Sequence, residues 1–160
     1  MSESRNDVLA TLSDELQTSL NTYAHVTEQP IAWGDMDAFR HVNNVVFYRY
    51  SETARIEYLH ALDLFRADTT TVLAKSSCTY LSPVVYPDTL FIGVQGTRLG
   101  TTSLTMQYAY FSSAQNKQVA SGEAGLERLN SECNAKSAWT KAERQAILEL
   151  ESRVGNQPEV

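Results

Sequence analysis

Trp33-Gly34-Asp35-Met36-Asp37-Ala38-Phe39-Arg40-His41-Val42-Asn43-Asn44 is followed, up to Leu62, by an apolar run without Gly or Pro. A loop emptying into a helix is the expected conformation. Good helix formers fill the second half of the run, and Asn43 or Asn44 offers a cap for its start. Val46, Tyr50, Ala54, Glu57 or Tyr58, and Ala61 form one stripe, while Phe47, Tyr48, Ile56, Leu59 and Leu62 spread apolar surface most of the way round. Such a helix is expected to be enclosed rather than laid on a surface. The first backbone N–H groups of a helix are unpaired and carry about half a positive charge. Ionisable residues just upstream therefore stand beside a place suited to a developing oxyanion.

A chain of 160 residues predicts one domain that buries its core without metal or disulfide staples. The formal net charge of −6 argues against nucleic acid or an anionic membrane as the main partner. Cys78 and Cys133 stand far apart, in no C-x-x-C arrangement and with no His at ligand spacing, so reduced thiols in the cytoplasm are expected and no metal site. Residues 1–24 contain Glu3, Asp7, Asp14 and Glu15 without a continuous apolar stretch, which is not the pattern of a signal peptide. No run reaches the length a membrane span needs.

In chain order, Leu9, Leu12, Leu16 and Leu20 predict an amphipathic helix over 6–21, packed on the body or on a second subunit. Residues 22–33 hold Pro30, which suits an edge strand. After the central helix, Asp63 to Thr71 reads as a connection, and Val72 to Val85 as a long strand broken near Pro83. Tyr86-Pro87-Asp88 turns the chain into the alternating Leu90, Ile92 and Val94, and a second hairpin is expected at Arg98-Leu99-Gly100. Leu104, Met106, Tyr108 and Tyr110 share one strand face, and the last strand runs from Gln118 to Leu129 with Ala120, Gly122, Ala124 and Leu126 on one side. Thr140-Lys141-Ala142-Glu143 matches a capping box opening a helix to about Arg153, and the tail 155–160 is expected to be loose. The segments divide as a helical extension (1–21), a core domain (22–130) and a C-terminal helix and tail (131–160). The predicted class is α+β, with a five-stranded antiparallel sheet curled around a long central helix.

Trp33-Gly34-Asp35-Met36-Asp37, His41-Val42-Asn43-Asn44, Tyr48, Glu52 and Arg55 together resemble the 4-hydroxybenzoyl-CoA thioesterase-like branch of the hotdog-fold acyl-CoA thioesterases. The similarity runs from about Thr22 to about Leu129. It implies the hotdog fold, a homodimer or homotetramer, an acyl-CoA substrate and no cofactor. It also implies that Asp37 is the catalytic carboxylate and that a backbone N–H near Asn44 polarises the thioester carbonyl. Arg40 stands where this branch usually has Gly, so a bulky residue there either accepts strain of about 1 kcal/mol or marks a different loop path.

Read as residues alone, Asp37 is better taken as a loop carboxylate that caps the helix or a backbone N–H than as a catalytic group. His41 orients the loop or the substrate, or makes a structural hydrogen bond at the helix start. Asn43, Tyr48 and Arg40 are candidate substrate contacts, with the Asn43 and Asn44 side chains also suited to capping. Glu52 and Arg55 are spaced to form a structural ion pair, and resemblance to other hotdog branches, which place a catalytic carboxylate on this helix, makes Glu52 the second candidate carboxylate. Arg98, Lys117 and Arg128 join Arg40 as candidate contacts for CoA phosphates, or are solvated charges. Tyr48, Tyr80, Tyr108 and Tyr110 suit an aromatic lining or the core. The sequence lacks G-x-S-x-G, P-loop and G-x-G-x-x-G motifs. The expected activity is hydrolysis of an acyl-CoA thioester, with Asp37 as nucleophile or general base. The alternative is a non-catalytic module that binds or senses acyl-CoA; a hotdog dehydratase ranks last.

Overall fold

The computed structural model of the protein describes residues 9–64 and 69–160. The start of the expected helix 6–21 and the middle of the Asp63–Thr71 connection lie outside the described residues. In chain order the elements are α1 (Asp14–Leu20), β1 (His25–Pro30), a 3-10 turn (Trp33–Asp35), α2 (Asn44–Ala61), β2 (Thr69–Tyr80), β3 (Thr89–Leu99), β4 (Ser103–Ser112), β5 (Lys117–Asn130) and α3 (Lys141–Ser152).

The central helix begins where its sequence says it should. The Asn43 side chain accepts from the Val45 N–H at 2.9 Å, satisfying one of the donors that a helix start leaves unpaired. At the other end Leu62 closes the helix, and Asp63 adopts φ 55°, the left-handed turn that stops further helical bonding. Phe47, Tyr50, Ala54, Tyr58 and Leu59 are buried in one cluster with Leu90, Ile92 and Val94 of β3 and with Leu104, Met106 and Tyr110 of β4. Each large side chain so buried stabilises the fold by roughly 1.5–3 kcal/mol.

All strands pair antiparallel in the order β1-β3-β4-β5-β2. β1 takes the edge that Pro30 predicts. A sheet of this order laid along one long helix is the expected hotdog architecture. The order corrects one reading, because β2 and β3 are not a hairpin. β2 ends at Tyr80 on the far edge, and residues 81–88 cross the start of α2 to reach β3 beside β1. Val84 is buried on the way, and its carbonyl accepts the Val42 N–H at 2.8 Å. The β3–β4 and β4–β5 pairs join neighbours in sequence, whereas β2 pairs only with β5, so turn signals alone could not place it.

Three further expectations change. The N-terminal helix is broken at Ser13, whose hydroxyl caps α1 by accepting the Leu16 N–H; helix-period leucines do not see a capping serine between them. Leu12, Leu16 and Leu20 still bury against Phe91, Ala109 and Phe111 on the outer sheet face. There the Tyr23 ring lies over Gly93, where an added Cβ would stand 2.5 Å from it. The tail is not loose. Glu159 accepts from Leu99 N–H at 2.7 Å and donates to Thr97 at 2.9 Å, filling the part of β3 beyond its pairing with β1. Finally, α2 is not enclosed on every side: Val45 is 66% and Tyr48 39% exposed, because the sheet curls over only part of its circumference.

The C-terminal segment closes the core from below. Trp139, Ile147 and Leu150 belong to the central cluster, and the Thr140–Glu143 capping box forms as expected. Glu143 also meets Arg128 at 2.8 Å. Glu151, fully buried, accepts from Tyr58 Oη at 2.7 Å, Gly96 N at 2.6 Å and Asn156 Nδ2 at 3.0 Å. Among the described residues, no helix is long and apolar enough to cross a membrane.

Candidate active site

The loop before α2 is a miniature hairpin. Met36 and Val42 form its antiparallel bridge, the Asp37 N–H donates to His41 O at 2.9 Å, and the Arg40 N–H donates to Asp37 O at 2.9 Å. This is a tight turn followed by one residue in the left-handed region, and Arg40 fills that position at φ 63°. The turn geometry explains why glycine suits the position. Arg40 accepts the strain of the left-handed conformation, with its side chain exposed.

Two anchors hold the loop against the helix. The Asp35 carboxylate accepts from Tyr50 Oη at 2.6 Å and from Ala32 N–H at 2.9 Å. The Asp35 carbonyl accepts the Asn43 N–H at 3.0 Å. Burial, then the Asp35 carboxylate, push the Tyr50 phenol far above its ordinary pKa, so it stays a donor. Both of these contacts spend Asp35 on structure.

Asp37 is placed differently. One carboxylate oxygen accepts the Phe39 N–H at 2.9 Å; the second has no described hydrogen-bond partner. The residue lines a cleft of about 420 Å³ together with His41, Asn44, Phe39, Phe47 and Tyr80. Residues 81–84 form the opposite wall, which is the segment brought there by the β2–β3 crossover. Asn44 is the first residue of α2, so its N–H has no acceptor within the helix and carries the positive end of the dipole. Asp37 and the first residue of α2 thus line one partly apolar cleft. That combination can attack or hydrate an electrophilic carbonyl whose oxygen gains charge.

The other expected contacts fall outside the lining. Asn43 spends its side chain on the cap, Tyr48 lies on the open side of α2, and Arg40 points to solvent at the tip of the turn. Arg55 is buried with Glu52 3.9 Å away, and Arg128 is taken by Glu143. The walls contributed by Phe39, Phe47 and residues 81–84 were not singled out by sequence. Only the spacing of Phe47 from Asn44, one helical turn, hinted at the former. Cys78 and Cys133 are unpaired thiols, and burial pushes the Cys78 thiol upward. Among the described residues, no group of three or more His, Cys, Asp or Glu side chains is arranged to hold a metal ion.

The chain is similar to several known proteins. The YsmA protein of Bacillus subtilis (strain 168) is 28% identical over 136 residues, covering 84% of this chain and 90% of its own. The PA2801 protein of Pseudomonas aeruginosa is 32% identical, with a TM-score of 0.71 over 78% of this chain and 98% of that one. A thioesterase of Thermus thermophilus, solved in complex with coenzyme A and Zn, is 30% identical, with a TM-score of 0.73 over 82% of this chain and 98% of its own. The family model of the thioesterase-like superfamily matches residues 31–146, a span that holds the loop, the central helix and every strand after it, and the chain therefore belongs to that superfamily.

Proposed function

We propose that the protein hydrolyses acyl-CoA thioesters to the free carboxylic acid and CoA. The observation that carries this reading is the meeting of Asp37 and the Asn44 helix start on one cleft, in a chain of the thioesterase-like superfamily. Asp37 either attacks the acyl carbon, expelling the CoA thiolate and leaving a mixed anhydride that water cleaves, or draws a proton from a water that attacks directly. In both routes the carbonyl oxygen becomes an oxyanion, and the Asn44 N–H is the donor that meets it; one such donor is worth about 3 kcal/mol. Thiolate leaves readily, so no strong acid is required. His41, exposed at the cleft, orients loop or substrate.

Arg40 takes the left-handed backbone conformation that favours glycine, which supports a strained turn over a different loop path and so favours turnover over binding alone. Arg40 is offered to the CoA phosphates from the rim, as a cation on an otherwise acidic chain.

A second copy of this chain is the expected partner. Val45 and Tyr48 on α2 and Val72 and Leu73 on the edge strand β2 are exposed, an apolar margin of the sort that proteins cover.

The test is release of thiol from a panel of acyl-CoAs, wild type against Asp37→Asn. Loss of at least about a hundredfold in kcat with an unchanged melting curve is expected. A preserved rate would remove Asp37 from the mechanism.

A further inference from the structure

The inner end of the cleft is closed by aromatic rings that brace one another. Phe47 sits one turn into α2 beyond Asn44, about 4.5 Å along the helix axis. Its ring meets Tyr80 edge-on at 5.2 Å and 83°, and Tyr110 at 5.5 Å and 67°. Phe47 and Tyr80 line the cleft, whereas Tyr110, fully buried, stands behind Phe47.

None of the three rings is free to swing. Tyr80 Oη donates to the Asn44 carbonyl at 3.0 Å, tying the strand end to the helix start. The Tyr110 hydroxyl is hydrogen-bonded to Ser51 Oγ, and Ser51 in turn donates to the Phe47 carbonyl at 2.8 Å. Moving Phe47 aside breaks ring contacts and leaves a hole in a packed core. A chain running inward from a carbonyl held at the Asn44 N–H therefore meets a rigid wall within one helical turn.

We propose that Phe47 and Tyr80, backed by Tyr110, set the size of acyl group that this cleft accepts, admitting short chains and excluding long ones. The proposal rests on the reading of the cleft as the acyl-thioester site. It makes Phe47 and Tyr80 specificity-determining residues, which touch the acyl tail and leave the reacting carbonyl to Asp37 and Asn44.

The experiment measures binding of S-alkyl-CoA thioethers, from ethyl to dodecyl, by calorimetry, so that length dependence is read without any turnover. Thiol release from the matching acyl-CoAs is recorded in parallel. Wild type should bind the butyl thioether at least about tenfold more tightly than the dodecyl one. Phe47→Ala should bring dodecyl to within about threefold of butyl. Tyr80→Ala, at a half-exposed position whose loss the core tolerates better, should shift the limit the same way. Equal affinity for butyl and dodecyl in wild type overturns the proposal, as does a limit that stays in place in both variants. A length limit in binding without thiol release from any acyl-CoA leaves this proposal standing and sinks hydrolysis instead. Failure of every thioether to bind overturns both.

Discussion

The Tyr50 hydroxyl donates to the Asp35 carboxylate across 2.6 Å, so the loop that carries Asp37 is bolted to the second turn of the central helix. Tyr50 is itself buried in the core and packs edge-on with Phe47 at 6.1 Å. Tyr50→Phe keeps the ring and removes the bolt. The variant should lose about 1–3 kcal/mol, because the Asp35 oxygen is left short of a donor. Loop aim should suffer with it: kcat for thioester hydrolysis should fall while KM changes little, measured by thiol release and thermal melting side by side. A kcat equal to wild type would show that the bolt serves folding only.

Arg40 carries φ 63° at the tip of the loop before α2. A side chain in that region costs about 1–2 kcal/mol that glycine avoids. Arg40→Gly should therefore raise stability by about 1 kcal/mol in urea melts. If the guanidinium greets CoA phosphates, the same variant should raise KM several-fold, and the effect should shrink as salt is added. A more stable variant with unchanged KM would leave Arg40 without a part in binding.

Glu151 is buried beneath the helix with three donors converging on it. Glu151→Ala would leave Tyr58 Oη and the Gly96 N–H buried without an acceptor, at about 1–3 kcal/mol for each orphaned group. The tail beyond Asn156 loses one of its anchors as well, so limited proteolysis should clip the C-terminus of the variant sooner than that of wild type. Equal clipping would place the hold on the tail wholly in its bonds to β3.

Alkaline pH should unfold the protein through its tyrosines. Tyr50, Tyr58 and Tyr110 all have pKa values raised well above 10.0, chiefly by burial, with the Asp35 and Glu151 carboxylates adding to the first two. Above pH 10 the unfolded chain gives up these protons while the folded chain keeps them, so stability is full below pH 10 and falls as pH rises beyond it. The slope of stability against pH should fall by about 1.4 kcal/mol per pH unit for each tyrosine involved. Tyr58→Phe should flatten it, read from denaturant melts between pH 9 and 11. An unchanged slope would mean that Tyr58 titrates alike in both states.

Much of the architecture was legible because it is local. The Asn43 cap, the Thr140–Glu143 capping box and the alternation along β3 and β4 each depend on residues within a few positions of one another, so period and end signals identify them. The loop before α2 is local in the same way: Asp37 and Asn44 are close in sequence, and a short hairpin lies between them.

Contacts between distant segments were not legible in this way. Tyr80 reaches Asn44 and Phe47 only because β2 takes the far edge of the sheet, and the 81–88 crossover walls the cleft for the same reason. The tail docks at Thr97 and Leu99 because β1 is too short to cover them. The amino-acid sequence by itself determined the elements and the loop that leads into the central helix, since short-range hydrogen bonding and hydrophobic period decide those. Only the tertiary structure decided the shape and depth of the cleft, because they depend on which strand edges and helix faces meet across the chain.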